Sequence, residues 1–94
     1  MSNFRLCDQI EWRLVDGEVV ALDLRNSTYF STNETGAVIW EALAEDGGCT
    51  AAALVGRVVE VFGVDEPTAA TDVDRFLAEL ETRDLITSSG GEQT

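Results

Sequence analysis

The stretch "TYFSTNETGAVIWEAL", residues 28–43, changes its period partway along, and that change decides the fold. Its first four residues, Thr28, Tyr29, Phe30 and Ser31, are β-formers, and a strand points the two aromatics to opposite faces. Asn33 is a good helix N-cap, while Ser31 with Glu34 offers a competing capping box, so a helix begins within a residue or two. Behind it Gly36, Ile39, Trp40 and Leu43 recur at helical spacing and form one apolar stripe.

Upstream, "QIEWRLV" (9–15) alternates Ile10, Trp12 and Leu14 with Gln9, Glu11 and Arg13, the period of a half-buried strand. Asp16-Gly17 is a strong hairpin signal. "EVVALDL" (18–24) then sets Val20, Leu22 and Leu24 on one face and Val19, Ala21 and Asp23 on the other. "RNST" (25–28) supplies turn residues, and residues 28–31 complete a three-stranded antiparallel meander.

Downstream, the first helix is expected to run to Gly47-Gly48, after which Thr50 caps a second helix carrying Leu54, Val55, Val58, Val59 and Phe62. Gly63 stops it. Asp65 and Pro67 open a third helix whose buried stripe is Val73, Phe76, Leu77 and Leu80, with Asp72, Asp74, Glu79 and Glu81 on its outer face. "DLITSS" (84–89) reads as a short extended segment. One domain over residues 1–87 is expected, followed by a disordered polar tail over 88–94. A three-stranded antiparallel sheet followed by three helices is an α+β arrangement of the winged helix-turn-helix plan.

Charge opposes the usual use of that plan. Six basic and eighteen acidic residues give a formal charge of −12, which repels phosphate backbones and anionic membrane surfaces. A winged-helix regulator that binds DNA is therefore disfavoured, and nucleic acid and membranes are not expected partners. The N-terminus has no apolar run of signal-peptide length and no stretch approaches a span of ~20 apolar residues, so a cytoplasmic protein is expected.

The sequence contains no histidine, which removes the usual general base and with it Ser/His/Asp and Cys/His machinery. Cys7 and Cys49 form no CxxC pair and have no histidine to help hold a metal, so both read as plain thiols. An acyl or peptidyl carrier needs a serine in an Asp-Ser-Leu type motif, and no Asp-Ser pair occurs. The expectation is a noncatalytic protein with no cofactor and no metal.

The segment "GEVVALDLRNSTYFSTNETGAVIWEAL" (17–43) resembles the PqqD-like family, the small leader-peptide-binding domains also called RiPP recognition elements. The resemblance rests on the hairpin "DGEVVALDL", the pair Tyr29 and Phe30, and "NETGAVIW" with Asn33, Gly36, Ile39 and Trp40. Thr32 stands where that family more often has leucine. Among its members the chain looks most like the stand-alone recognition proteins of lasso-peptide biosynthesis.

The resemblance implies that a precursor's leader peptide joins the open edge of the third strand, with the third helix as the other wall of a groove. The residues it marks are Thr28, Tyr29, Phe30 and Ser31 on the strand and Val73, Arg75, Phe76, Leu77 and Leu80 on the helix. Of Tyr29 and Phe30, one is expected in the core and the other in the groove. The implied partners are a leader peptide, a separate leader peptidase of the cysteine-protease type, and an ATP-dependent cyclase that receives the core peptide next. The alternative inside the family is a chaperone that delivers precursor to a radical enzyme. The sequence supports the strand-edge reading independently: edge strands are usually guarded by charges, proline or bulges, and "TYFS" has none.

Overall fold

The computed structural model describes residues 3–45 and 47–89 of the chain. Among the described residues six strands and three helices follow one another as β1 (Asn3–Leu6), β2 (Ile10–Val15), β3 (Glu18–Asp23), β4 (Thr28–Ser31), α1 (Glu34–Leu43), β5 (Cys49–Thr50), α2 (Ala51–Phe62), α3 (Glu66–Thr82) and β6 (Ile86–Ser89). The α+β class and the antiparallel meander β2-β3-β4 are as read from the sequence. A second three-stranded sheet, β5-β1-β6, was not anticipated. It joins the N-terminal strand to the far end of the chain, pairing Asn3 with Ser89 and Leu6 with Ile86. The strand thus runs through Ser88 and Ser89, past the expected domain end at residue 87, while the rest of the expected tail, 90–94, lies outside the described residues.

Local signals set most element ends. Asp16 and Gly17 take positive φ of 52° and 81°, the pair of left-handed residues that a two-residue type I′ turn demands, and β2 pairs with β3 from Val15–Glu18 outward. The Asn33 side chain accepts a hydrogen bond from the Gly36 N–H at 2.9 Å and caps α1. Thr50 does the same for α2 through the Ala53 N–H at 3.2 Å. Gly63, left-handed at φ 70°, ends α2 with its N–H on the Val59 carbonyl. Helix α1 ends at Leu43 with Ala44 as its C-cap, short of the Gly47-Gly48 stop expected for it.

The core lies between one face of the meander and the three helices. Trp40, Ile39 and Leu43 from α1, Leu54 and Val58 from α2, and Ala69, Val73, Leu77 and Leu80 from α3 meet Val19, Ala21 and Phe30 from the sheet. On β3 the inward face is therefore Val19, Ala21 and Asp23, and the more apolar set, Val20, Leu22 and Leu24, faces outward. Volume accounts for the choice. Trp40 stacks on Phe30 with centroids 5.8 Å apart and meets Trp12 edge-on at 6.2 Å, so small residues are needed between those rings on the central strand.

Asp23, buried at the end of that face, is held by Arg25 through Nε and Nη2 at 2.9 and 2.8 Å. The same guanidinium donates to the Asp84 carbonyl at 2.6 Å, tying the meander to the turn before β6. Charge-assisted bonds from Arg25 hold the Asp23 carboxyl below its ordinary range, and the carboxylate in turn holds the arginine more firmly protonated.

Candidate functional site: an open strand edge beside a helix

The meander has two edges, β2 and β4, and it is Phe30 of β4 that meets α3 through Phe76. Two hydrogen bonds fix which of its backbone groups are free. Leu24 N–H donates to the Gln9 carbonyl on one side of the β3 line, and Thr32 N–H donates to the Val19 carbonyl on the other. Backbone groups of an antiparallel strand alternate sides, so odd residues of β3 bond to β4 and even ones to β2. On β4 the main chains of Thr28 and Phe30 consequently face β3, and those of Tyr29 and Ser31 face the open edge. Thr28 N–H is in addition within 3.3 Å of the Asn26 side-chain oxygen.

The side chains obey the complementary alternation. Phe30 turns toward the helices and is only 8% exposed, whereas Tyr29 stands on the outer face at 73% exposure beside Leu22. Phe30 also touches α3: its ring meets Phe76 at 6.1 Å and lies 5.0 Å under the Arg83 guanidinium. One aromatic is in the core as expected, and it is Phe30. Tyr29 points away from α3.

Asn33 and α1 form with α3 a cleft of about 210 Å³ lined by Asn33, Thr35, Gly36, Ile39, Asp72, Arg75, Phe76 and Glu79, and Phe76 links it to Phe30 of β4. It is smaller than the ~300 Å³ at which ordinary small-molecule sites begin. Gly36 makes the close approach of the two helices possible, since a Cβ there would sit 3.0 Å from Phe76 Cε1 and 2.9 Å from Thr32 Cβ. Thr32 is itself buried, and its hydroxyl oxygen accepts from the Val19 N–H at 3.1 Å, a backbone donor that a leucine at this position would leave without that partner.

Of the helix residues marked from the sequence, Arg75 and Phe76 line the cleft. Val73 and Leu80 are fully buried and Leu77 nearly so, and all three belong to the core cluster rather than to the lining of the cleft. Asp72 and Glu79 line the cleft as well and Arg83 lies over Phe30, though none of the three was marked from the sequence. With Arg75 and Phe76 they form a second helical stripe, offset by one residue from the buried Ala69, Val73, Leu77 and Leu80. That spacing was present in the sequence, but its charged members read as a solvated face. Arg83 also pairs with Glu79 at 3.5 Å, so the cleft carries both signs of charge.

Among the described residues no group of three or more His, Cys, Asp or Glu is placed to hold a metal, and no helix is long and apolar enough to cross a membrane. Cys7 and Cys49 are free thiols, and burial raises the Cys49 thiol above its ordinary range.

Known proteins share this architecture. A structure described as "TbiB1 in Complex with the TbiA(beta) Leader Peptide" matches with a TM-score of 0.77 and 29% identity, over 96% of this chain and 99% of that one. A second, "Lasso peptide synthetase B1 complexed with the leader peptide", matches with a TM-score of 0.75 and 26% identity, over 90% of this chain and 98% of that one. No curated protein sequence matches. The family described as "Coenzyme PQQ synthesis protein D (PqqD)" matches residues 18–86, a span that holds β3, β4 and all three helices. The chain belongs to the PqqD family.

Proposed function

We propose that this protein is a noncatalytic recognition protein that binds the leader peptide of a lasso-peptide precursor as an added strand on β4. The observation that carries the reading is the pairing of a free edge, Tyr29 and Ser31, with two full-length structural relatives described as leader-peptide complexes. Main-chain bonds to Tyr29 and Ser31 set the direction and register of the peptide, and alternate side chains of the peptide enter the cleft over Phe30 and Phe76. Arg75, Arg83, Asp72 and Glu79 present mixed charge there, so affinity rests on apolar anchors, each contributing about 1.5–3 kcal/mol when fully buried. On this reading α1, α2 and α3 with the β2-β3 hairpin are a winged helix-turn-helix whose acidic surface serves peptide rather than DNA.

A bound leader places the precursor near a separate cysteine-type leader peptidase, and then near an ATP-dependent cyclase. The contribution to cleavage is effective concentration, because tethering turns the second encounter into an intramolecular one. The family description favours one second reading, a peptide chaperone for a radical enzyme of coenzyme PQQ synthesis. Both readings use the same groove. Fluorescence anisotropy with a labelled leader from a precursor gene beside this one tests them together, and addition of the peptidase separates them. Binding without any acceleration of cleavage contradicts the lasso assignment, and no binding contradicts both.

A further inference from the structure

The meander's other edge, β2, is longer than β4 and is uncovered among the described residues: every residue from Glu11 to Val15 is exposed. By the same alternation, its β3-facing main chains are those of Glu11, Arg13 and Val15, so the N–H and C=O groups of Ile10, Trp12 and Leu14 face outward. Beside them stand apolar side chains, with Trp12 36% and Leu14 48% exposed. Such an edge is a template for another strand. Its charges, Glu11 and Arg13, look like the usual guard against pairing, but they flank Trp12 symmetrically and with opposite sign.

That symmetry selects a partner. We infer that β2 is a homodimer edge, pairing antiparallel with β2 of a second copy about a two-fold axis at Trp12. In this register Trp12 faces its own copy and Ile10 faces Leu14, all through outward main chains, while Glu11 meets Arg13 of the other chain twice on the outer face. Sliding the pairing one way puts Glu11 opposite Glu11, and the other way puts Arg13 opposite Arg13. Like charges directly opposite are destabilising, so the sequence specifies the register. The dimer's sheet is a continuous six-stranded one with both β4 edges at its outer ends, leaving two leader sites free if the proposed function holds. The charge of −12 on each chain opposes association, but over distances that salt screens within ~8 Å, whereas the Glu11–Arg13 pairs act at contact. A six-residue edge buries well under the ~1,200 Å² of a standard interface, so the dimer is weak and concentration-dependent.

Sedimentation of the whole chain from micromolar to millimolar concentration tests this, with circular dichroism as a check on folding. The parent is expected to show a monomer–dimer equilibrium. Glu11→Arg and Arg13→Glu should each weaken it about fourfold or more, since two favourable pairs become two repulsive ones. Mixing the two single variants should restore association, because each Arg then meets a Glu across the axis; the double variant should restore it too. A parent that stays monomeric throughout, single variants that dimerise like the parent, or a mixture that stays monomeric each overturns the inference. Leader binding is measured on the same variants. Its retention when dimerisation is lost shows that the two edges act separately, so failure here leaves the β4 reading standing.

Discussion

If a leader adds to β4, removing single backbone donors should reveal the two-residue alternation of that edge. Proline at Ser31 deletes an outward N–H, and proline at Tyr29 deletes the other, while the Thr32–Val19 and Phe30–Ala21 connections to β3 keep their groups. In the complex, the leader carbonyl that had accepted from the missing N–H is left buried and unpaired. That costs about 1–3 kcal/mol, or roughly 5- to 150-fold in affinity for each site. Thr28→Pro is the internal control, because the Thr28 N–H is turned to the Asn26 side chain rather than to the edge. The assay is fluorescence anisotropy with a labelled leader, on variants whose circular dichroism and urea midpoint show an intact fold. Equal losses for Thr28→Pro and Ser31→Pro, or parent-like binding by folded Tyr29→Pro and Ser31→Pro, would refute strand addition at β4.

Phe76→Ala should weaken leader binding at least tenfold by removing a half-buried groove wall worth about 1.5–3 kcal/mol, and should also cost stability through its contact with Phe30; loss of stability with unchanged affinity would place the ligand elsewhere. Gly36→Ala gains about 1 kcal/mol of helix propensity but forces a Cβ against Phe76 and Thr32, at about 1–3 kcal/mol, so a net loss in urea unfolding is expected and a clear gain would contradict the close helix approach. Asp23 has a folded pKa below its ordinary 3.8, so its ion pair adds stability that is fully present above that value and lost as pH falls through the folded pKa. Asp23→Asn should therefore lower stability at neutral pH and flatten the decline below pH 3.8; an unchanged acid profile would show that Arg25 does not hold the carboxylate. Leader affinity should change little with moderate salt, given the paired signs of charge in the cleft, and a fall of several orders of magnitude would show instead that charge pairing governs binding.

Signals confined to a few neighbouring residues were legible. Asp16-Gly17, Asn33, Thr50 and Gly63 each require a particular backbone geometry, and each adopts it. Strand β1 was not legible because "NFRL" is too short for a period, and its partners, β5 and β6, lie more than forty residues away. The site was half legible for a related reason. Period alone showed that Tyr29 and Phe30 oppose one another, but which face the helices cover depends on Trp40 and Trp12 filling the space above Ala21. On α3 the buried stripe was visible as apolar residues, whereas the neighbouring groove stripe, from Asp72 to Arg83, mixes one aromatic with charges and is distinguished from an ordinary solvated face only when Phe30 and Gly36 are packed beneath it.

Amide hydrogen exchange, resolved by residue with and without the leader peptide, tests leader addition at β4 most directly. Tyr29 and Ser31 should exchange rapidly in the free protein and become protected on binding, while Ile10, Trp12 and Leu14 on the opposite edge stay unchanged at a protein concentration that keeps the chain monomeric. Protection that omits Tyr29 and Ser31, or that appears at Ile10, Trp12 and Leu14 instead, would contradict leader addition at β4.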